Sequence, residues 1–280
     1  MYSCIIGLPV YNAAKYIPFA ISNINILKTL FNKVHIVFAY DDSNDNTINL
    51  LNNYAKNNND VSIIIISKHN KNKSKYRTVN ISRARNLILN FIRSQRDPFD
   101  FFIMLDCNYN NYMTIDKNVL SLYLDRTDWD ALSFNQNDYY DIWALSIFPY
   151  YLSCWAWSSG AAVSNTMKKY ITNKLANCSH EKLIPCISAF NGISIYRSSK
   201  FLNCFYNGYY NTYLLSYLHC NLKLNISLLK NVSQTLIKNN YVGKNSILGN
   251  QDCEHRSFHA MAIIKNNAKI CISPLCLFKN

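Results

Sequence analysis

The chain has 280 residues, 49% of them hydrophobic, and its 29 Lys and Arg against 16 Asp and Glu leave a net charge of +13. That balance supports a sizeable core and excludes a disordered chain, while no apolar run reaches the ~18 residues of a transmembrane helix. The positive charge suits an anionic partner, but the lysines are scattered, and no helix-turn-helix or RNP-like pattern can be placed, so nucleic acid is not expected.

Ser3–Val10 reads as a first strand; the start of the chain lacks the basic, cleavable pattern of a secretory signal, so a cytoplasmic protein is expected. Ile17, Ile21, Ile24, Leu27 and Leu30 fall at helical spacing in Ala13–Leu30, with Asn12 as a cap. Lys33–Tyr40 is a second strand, Thr47–Ala55 a helix and Val61–Ser67 a third strand. A basic loop, Lys68–Tyr76, leads to a helix over Asn80–Arg93. Phe101–Asn108 joins five apolar residues to Asp-Cys-Asn, the pattern of a strand buried on both faces. Strands alternating with helices predict a mostly parallel central sheet with crossover helices, an α/β fold of Rossmann type.

The second half is less regular. Trp129–Asn135 and Ala189–Arg197 read as strands, Tyr139–Ser146 as a short apolar segment, Trp155–Ser179 as loop and helix, Gln251–Ile264 as a helix and Ile270–Phe278 as a last strand. Tyr206–Tyr217 is a tyrosine-rich stretch that suits either sugar stacking or packing. Without a linker or a repeat, one domain over 1–280 is expected, with residues 1–110 as a nucleotide-binding half and 111–280 as a second half, acceptor-binding on the family resemblance given below. Ten cysteines include no Cys-x-x-Cys pair, which argues against a zinc ribbon and for reduced, mostly buried thiols.

In an open parallel sheet, ligands bind beyond the carboxyl ends of the strands. Tyr11-Asn12, Asp41-Asp42 and Asp106-Cys107-Asn108 all fall at such ends. Asp106 and Asn108, two apart on an extended chain, offer a carboxylate and an amide oxygen to a hard divalent cation. Arg83 and Asn86 lie three apart, off the apolar stripe of their helix. Each feature alone also reads blandly, as a turn, a solvated loop or a surface charge. Together and in this order they point to a site for a nucleoside diphosphate and its metal.

Leu8-Pro9-Val10-Tyr11-Asn12, Asp41-Asp42-Ser43, Ser82-Arg83-Ala84-Arg85-Asn86 and Asp106-Cys107-Asn108 together resemble the nucleotide-sugar glycosyltransferases of the GT-A fold. The resemblance implies that Pro9, Tyr11, Asn12, Asp41 and Asp42 hold the nucleoside. It implies that Arg83, Arg85 and Asn86 approach the diphosphate, and that Asp106 and Asn108 hold Mn2+ or Mg2+. Asn108 departs from the family's second Asp and brings no charge. Tyr140–Leu145, Asn191–Tyr196 and Asp252–His255 are similar to fungal capsule mannosyltransferases and to proteins of large DNA viruses, which leaves a virus-encoded origin open. On that likeness Asn135, Asp141, Trp143, Asn191 and Gly192 would face the acceptor or the donor sugar. The expected function is metal-dependent transfer of a sugar from a UDP- or GDP-sugar to a glycan or glycoprotein acceptor. The rival readings are a sugar-phosphate nucleotidyltransferase, which lacks support because no glycine-rich loop follows the first strand, and a basic, non-enzymatic binding protein.

The chain holds two glutamates, Glu181 and Glu254. Glu254 sits in Asp252-Cys253-Glu254-His255, with His259 one helical turn beyond His255. The bland reading is a capped helix start. The functional reading makes Glu254 or Asp252 the base for an acceptor hydroxyl and His255 or His259 a ligand of the metal.

Overall fold

The computed structural model describes residues 2–69, 73–148, 151, 161–209 and 251–279. Among the described residues there are ten strands: β1 (Ser3–Val10), β2 (Lys33–Tyr40), β3 (Val61–Ile65), β4 (Phe101–Leu105), β5 (Thr114–Ile115), β6 (Ala131–Asn135), β7 (Ile184–Cys186), β8 (Ile193–Arg197), β9 (Ile270–Cys276) and β10 (Phe278–Lys279). The helices are α1 (Ile17–Lys28), α2 (Thr47–Lys56), α3 (Ile66–His69), α4 (Arg77–Arg93), α5 (Lys117–Leu124), α6 (Ala161–Ala176), α7 (Ser198–Phe201) and α8 (Glu254–Asn266).

Eight strands form one sheet in the order β3-β2-β1-β4-β8-β6-β9-β7. β1 to β4 run parallel. β8 is antiparallel to both its neighbours, β4 and β6, whereas β6 and β9 are parallel. The expected mostly parallel sheet flanked by helices is therefore present, and Phe101–Leu105 lies in its middle.

Alternation along the strands sends side chains to two different layers. Phe101, Ile103 and Leu105 of β4 join a core with Ile17, Ile24 and Leu27 of α1 and Leu51 of α2. Phe102 and Met104 join a second core with Ile88 and Leu89 of α4 and Phe258 and Met261 of α8. All five β4 side chains are buried, as an uninterrupted apolar run requires. Gly7 lets α4 press onto β1: a Cβ there would stand 2.5 Å from Cγ2 of Ile88.

Some boundaries differ from expectation. The first helix begins at Ile17, with Pro18 in its first turn, where the missing N–H costs nothing. Ile66 and Ser67 leave the third strand for α3, and α4 starts three residues early, at Arg77. Tyr139–Ser146 is irregular, with a turn at 142–144 and one bridge from Ser146 to Ser188. The eight cysteines among the described residues are free, none of them exposed. Among the described residues no helix is long and apolar enough to cross a membrane. Part of the tyrosine-rich stretch, 210–217, and of 155–179 lies outside the described residues.

Candidate active site

A cleft of about 560 Å3 opens where β1, β2 and β4 end against the start of α4. One side is Pro9, Val10, Tyr11, Asp41, Asp106, Cys107 and Asn108; the other is Lys73, Ser74, Lys75, Arg77, Asn80, Ile81 and Ala84. Sequence reasoning placed the first side but singled out neither Lys73 nor Arg77. The signal was the basic stretch leading into α4, whose first residues point into the cleft because Arg77, Asn80, Ile81 and Ala84 follow i, i+3, i+4, i+7.

The two loops on the nucleoside side brace one another. Asn12 takes φ 47°, a left-handed conformation that asparagine tolerates. Its N–H donates to Oγ of Ser43 at 2.9 Å, and its Oδ1 accepts from the Asn44 N–H at 2.8 Å. Asn12 thus ties the loops together and does not line the cleft. Asp41 lies 2.8 Å from Nζ of Lys73, which stands 4.1 Å above the centre of the Tyr11 ring. Asp42 accepts from the Ser67 hydroxyl at 3.1 Å, away from the cleft lining.

At the back of the site lies Arg85, 2% exposed. Its Nη2 donates to Oδ1 of Asp106 at 2.8 Å and its Nε to Oε1 of Glu254 at 3.0 Å. Its guanidinium also stands 4.5 Å from the centre of the Phe190 ring. Burial opposes the charge on Arg85, and Asp106 and Glu254 more than offset it, so the pKa is raised. Burial raises Glu254 despite the neighbouring arginine. Asp141 is pushed up to about 7, first by burial and then by the charge of Asp106. The carboxylates of Asp106, Asp141 and Glu254 therefore share one electrostatic neighbourhood with the buried guanidinium of Arg85.

Other expected residues are placed elsewhere. Arg83 does not line the cleft, and Asn86 holds residue 206, donating to the Tyr206 carbonyl and accepting from its N–H, both at 2.8 Å. Asn135 donates to the Pro274 carbonyl at 3.0 Å, and Trp143 packs on the second core. Asn191 is fully buried, and Gly192 takes φ 87°. Asp252 pairs with Arg256 at 3.9 Å.

The histidines are inside the protein. The His255 ring stacks on Phe190 at 3.8 Å, its Nε2 lies 3.7 Å from Oε1 of Glu254, and burial holds its pKa well below the usual value. His259 has both ring nitrogens engaged, with Oγ of Ser188 at 2.9 Å and the Tyr196 hydroxyl at 3.2 Å, and burial lowers its pKa to about 3. Neither lines the cleft beside Asp106. Among the described residues no group of three or more His, Cys, Asp and Glu could hold a metal by itself. Asp106 and Asn108 do line the cleft together as hard oxygen donors; Oδ1 of Asn108 accepts one N–H, from Asn110 at 3.0 Å, and keeps a second lone pair.

Residues 5–94, from β1 through α4, match the family described as Glycosyl transferase family 2. No curated protein matches. Among solved structures, the chain is similar to S. aureus TarS residues 1–349, with 16% identity and a TM-score of 0.40, over 74% of this chain and 50% of that one. It is similar to the mannosyltransferase PcManGT from Pyrobaculum calidifontis in complex with GDP-Man and Mn2+, with 12% identity and a TM-score of 0.42, over 73% and 47%. It is also similar to glucosyl-3-phosphoglycerate synthase from Mycobacterium tuberculosis in complex with Mn2+, UDP and phosphoglyceric acid, with 10% identity and a TM-score of 0.41, over 71% and 57%. The chain spans about half the length of these solved proteins.

Proposed function

We propose that this chain is a metal-dependent glycosyltransferase that moves a hexose from a UDP- or GDP-sugar to a glycan or glycoprotein acceptor. The observation that carries the reading is one cleft in which Asp106 and Asn108 face Lys73, Lys75 and Arg77 at the start of a long helix. A diphosphate needs both walls: cations and the positive end of a helix on one side, and hard oxygens for its counter-ion on the other. The family match over residues 5–94 supports the same reading.

Asp106 and Asn108 would hold Mn2+ or Mg2+. Bound there, the ion supplies neutralisation of the charge that develops on the leaving diphosphate. Lys75 and Arg77 bind the phosphates, and Tyr11 and Asp41 hold the nucleoside. Glu254 is the base that takes the acceptor proton, in preference to Asp252, because it is joined to Asp106 through Arg85 while Asp252 is paired with Arg256. The reading extends to a virus-encoded enzyme of the capsule mannosyltransferase type, on the strength of the motifs at Tyr140–Leu145, Asn191–Tyr196 and Asp252–His255.

A screen of UDP- and GDP-sugars with Mn2+, following release of nucleoside diphosphate, tests the reading. Release from at least one donor is expected, and its loss in Asp106→Ala. Release that is absent from every donor, or unchanged in Asp106→Ala, overturns it.

A further inference from the structure

Three amide side chains form a closed network beneath the cleft. Asn111, Gln136 and Asn191 are 4%, 6% and 0% exposed. The Asn111 amide donates to the carbonyls of Asp106 and Gly192, both at 2.9 Å. Gln136 donates to Oδ1 of Asn111 at 3.2 Å and to the Asn191 carbonyl at 2.7 Å. Asn191 donates to the Phe134 carbonyl at 3.0 Å, while its Oδ1 accepts from the N–H groups of Tyr140 and Asp141 at 3.2 and 3.3 Å. The Gly192 carbonyl accepts from the Asp106 N–H at 2.8 Å.

Two successive left-handed residues, Asn191 at φ 51° and Gly192 at φ 87°, make this possible. A Cβ on Gly192 would fall 2.5 Å from the Tyr140 hydroxyl and 2.6 Å from Oδ1 of Asn111. Three loops, those after β4, after β6 and before β8, are joined at this point through side chains that are themselves buried. Apolar packing would hold three loops at less risk, because a buried amide costs free energy unless every partner is in place. What the amides add is direction: they fix where two loop backbones lie.

We infer that Asn191, with Gln136 and Asn111, is a positioning residue for transfer: it holds the Asp141 loop at a fixed spacing from Asp106. This deepens the glycosyltransferase reading and rests on it for the word transfer. The Asp106 loop is held through the backbone of Gly192, so removing the Asn191 side chain releases Asp141 and leaves Asp106 in place.

Asn191→Gly keeps the left-handed backbone and removes the side chain. Three measurements on the full chain decide the inference: thermal unfolding, donor turnover with its KM and kcat separated, and the titration of Asp141 by carboxyl NMR. Expected are a folded variant, a donor KM within about threefold of the parent, and a kcat lowered about tenfold or more, ~1.4 kcal/mol. The Asp141 titration should fall below about 7 as its loop loosens, because burial, the first cause of the raised value, and then the charge of Asp106 both weaken. An unchanged kcat, or an unchanged Asp141 titration, overturns the inference. If the parent releases no diphosphate from any sugar nucleotide, the functional reading falls, and the Asp141 titration still decides whether Asn191 holds that loop. Should Asn191→Gly not fold, Asn191→Ala, which removes the same amide at a small backbone cost, is subject to the same outcomes.

Discussion

The guanidinium of Arg85 carries one carboxylate on each of two nitrogens, Asp106 at 2.8 Å and Glu254 at 3.0 Å, with 2% of its side chain exposed. Breaking a buried pair from one side leaves charge without a partner, which costs more than the pair was worth. Arg85→Ala should therefore lower stability in urea by about 3–5 kcal/mol. Glu254→Gln retains an oxygen for the Arg85 Nε, so it should stay within about 1 kcal/mol of the parent while losing transfer and keeping donor binding. Equal stability of Arg85→Ala and parent would show that the arginine is dispensable to the fold. Asp141 behaves differently. Its pKa is raised from 3.8 to about 7, so the folded state binds the extra proton between those values. Its ionisation then costs stability as pH rises through that window, fully above about 7, and the cost disappears below about 4. Asp141→Asn should raise stability above pH 7 and flatten its pH dependence from 4 to 7, as read by urea titrations at several pH values. A variant with the parent's pH profile would place this carboxyl in solvent.

At the scale of the element, α4 sets which cations meet a ligand. Arg77, Asn80, Ile81 and Ala84 share the face toward the cleft, while Arg83 and Asn86 turn away from it. Arg77→Ala and Lys75→Ala should each weaken binding of a nucleoside diphosphate with Mn2+ about tenfold by calorimetry, and Arg83→Ala should leave it unchanged. The reverse order would move the phosphates to the other face. The sequence pointed to Arg83 through its spacing from Asn86, yet Asn86 is occupied with residue 206, a contact 120 positions away that periodicity does not reveal. The elements were legible where a burial pattern is complete. β1 and β2 carry the expected bounds, Ser3–Val10 and Lys33–Tyr40, because each is an apolar run ended by a polar loop. β5 and β7, of two and three residues, are too short to show a period. The antiparallel course of β8 is set by pairing with β4 and β6, which no local pattern encodes. The Asp106 loop was legible as a strand end; the amides beneath it were not, since Asn111 and Gln136 look like ordinary loop residues until the fold buries them.

For the molecule as a whole, a net charge of +13 surrounds a cleft with a cationic wall. Such a field speeds capture of an anionic donor, and salt screens it over about 8 Å at physiological strength. The association rate of a nucleoside diphosphate should therefore drop several-fold between about 20 and 200 mM salt in stopped-flow mixing, with a smaller change in dissociation. Equal loss in both rates would argue against long-range capture. The guanidinium of residue 85 also has a consequence for how the protein is made. It receives Asp106 from a strand only about twenty positions later, but Glu254 from a helix near the other end of the chain. A nascent chain leaves the ribosome from its amino end and folds as it emerges. The first four strands are available long before residue 254 is translated, so for most of synthesis the arginine has only one of its two anions. Closure of the site is thus a late event, and a ribosome-stalled chain ending before residue 251 should expose that guanidinium to arginine-selective reagents that the finished protein resists.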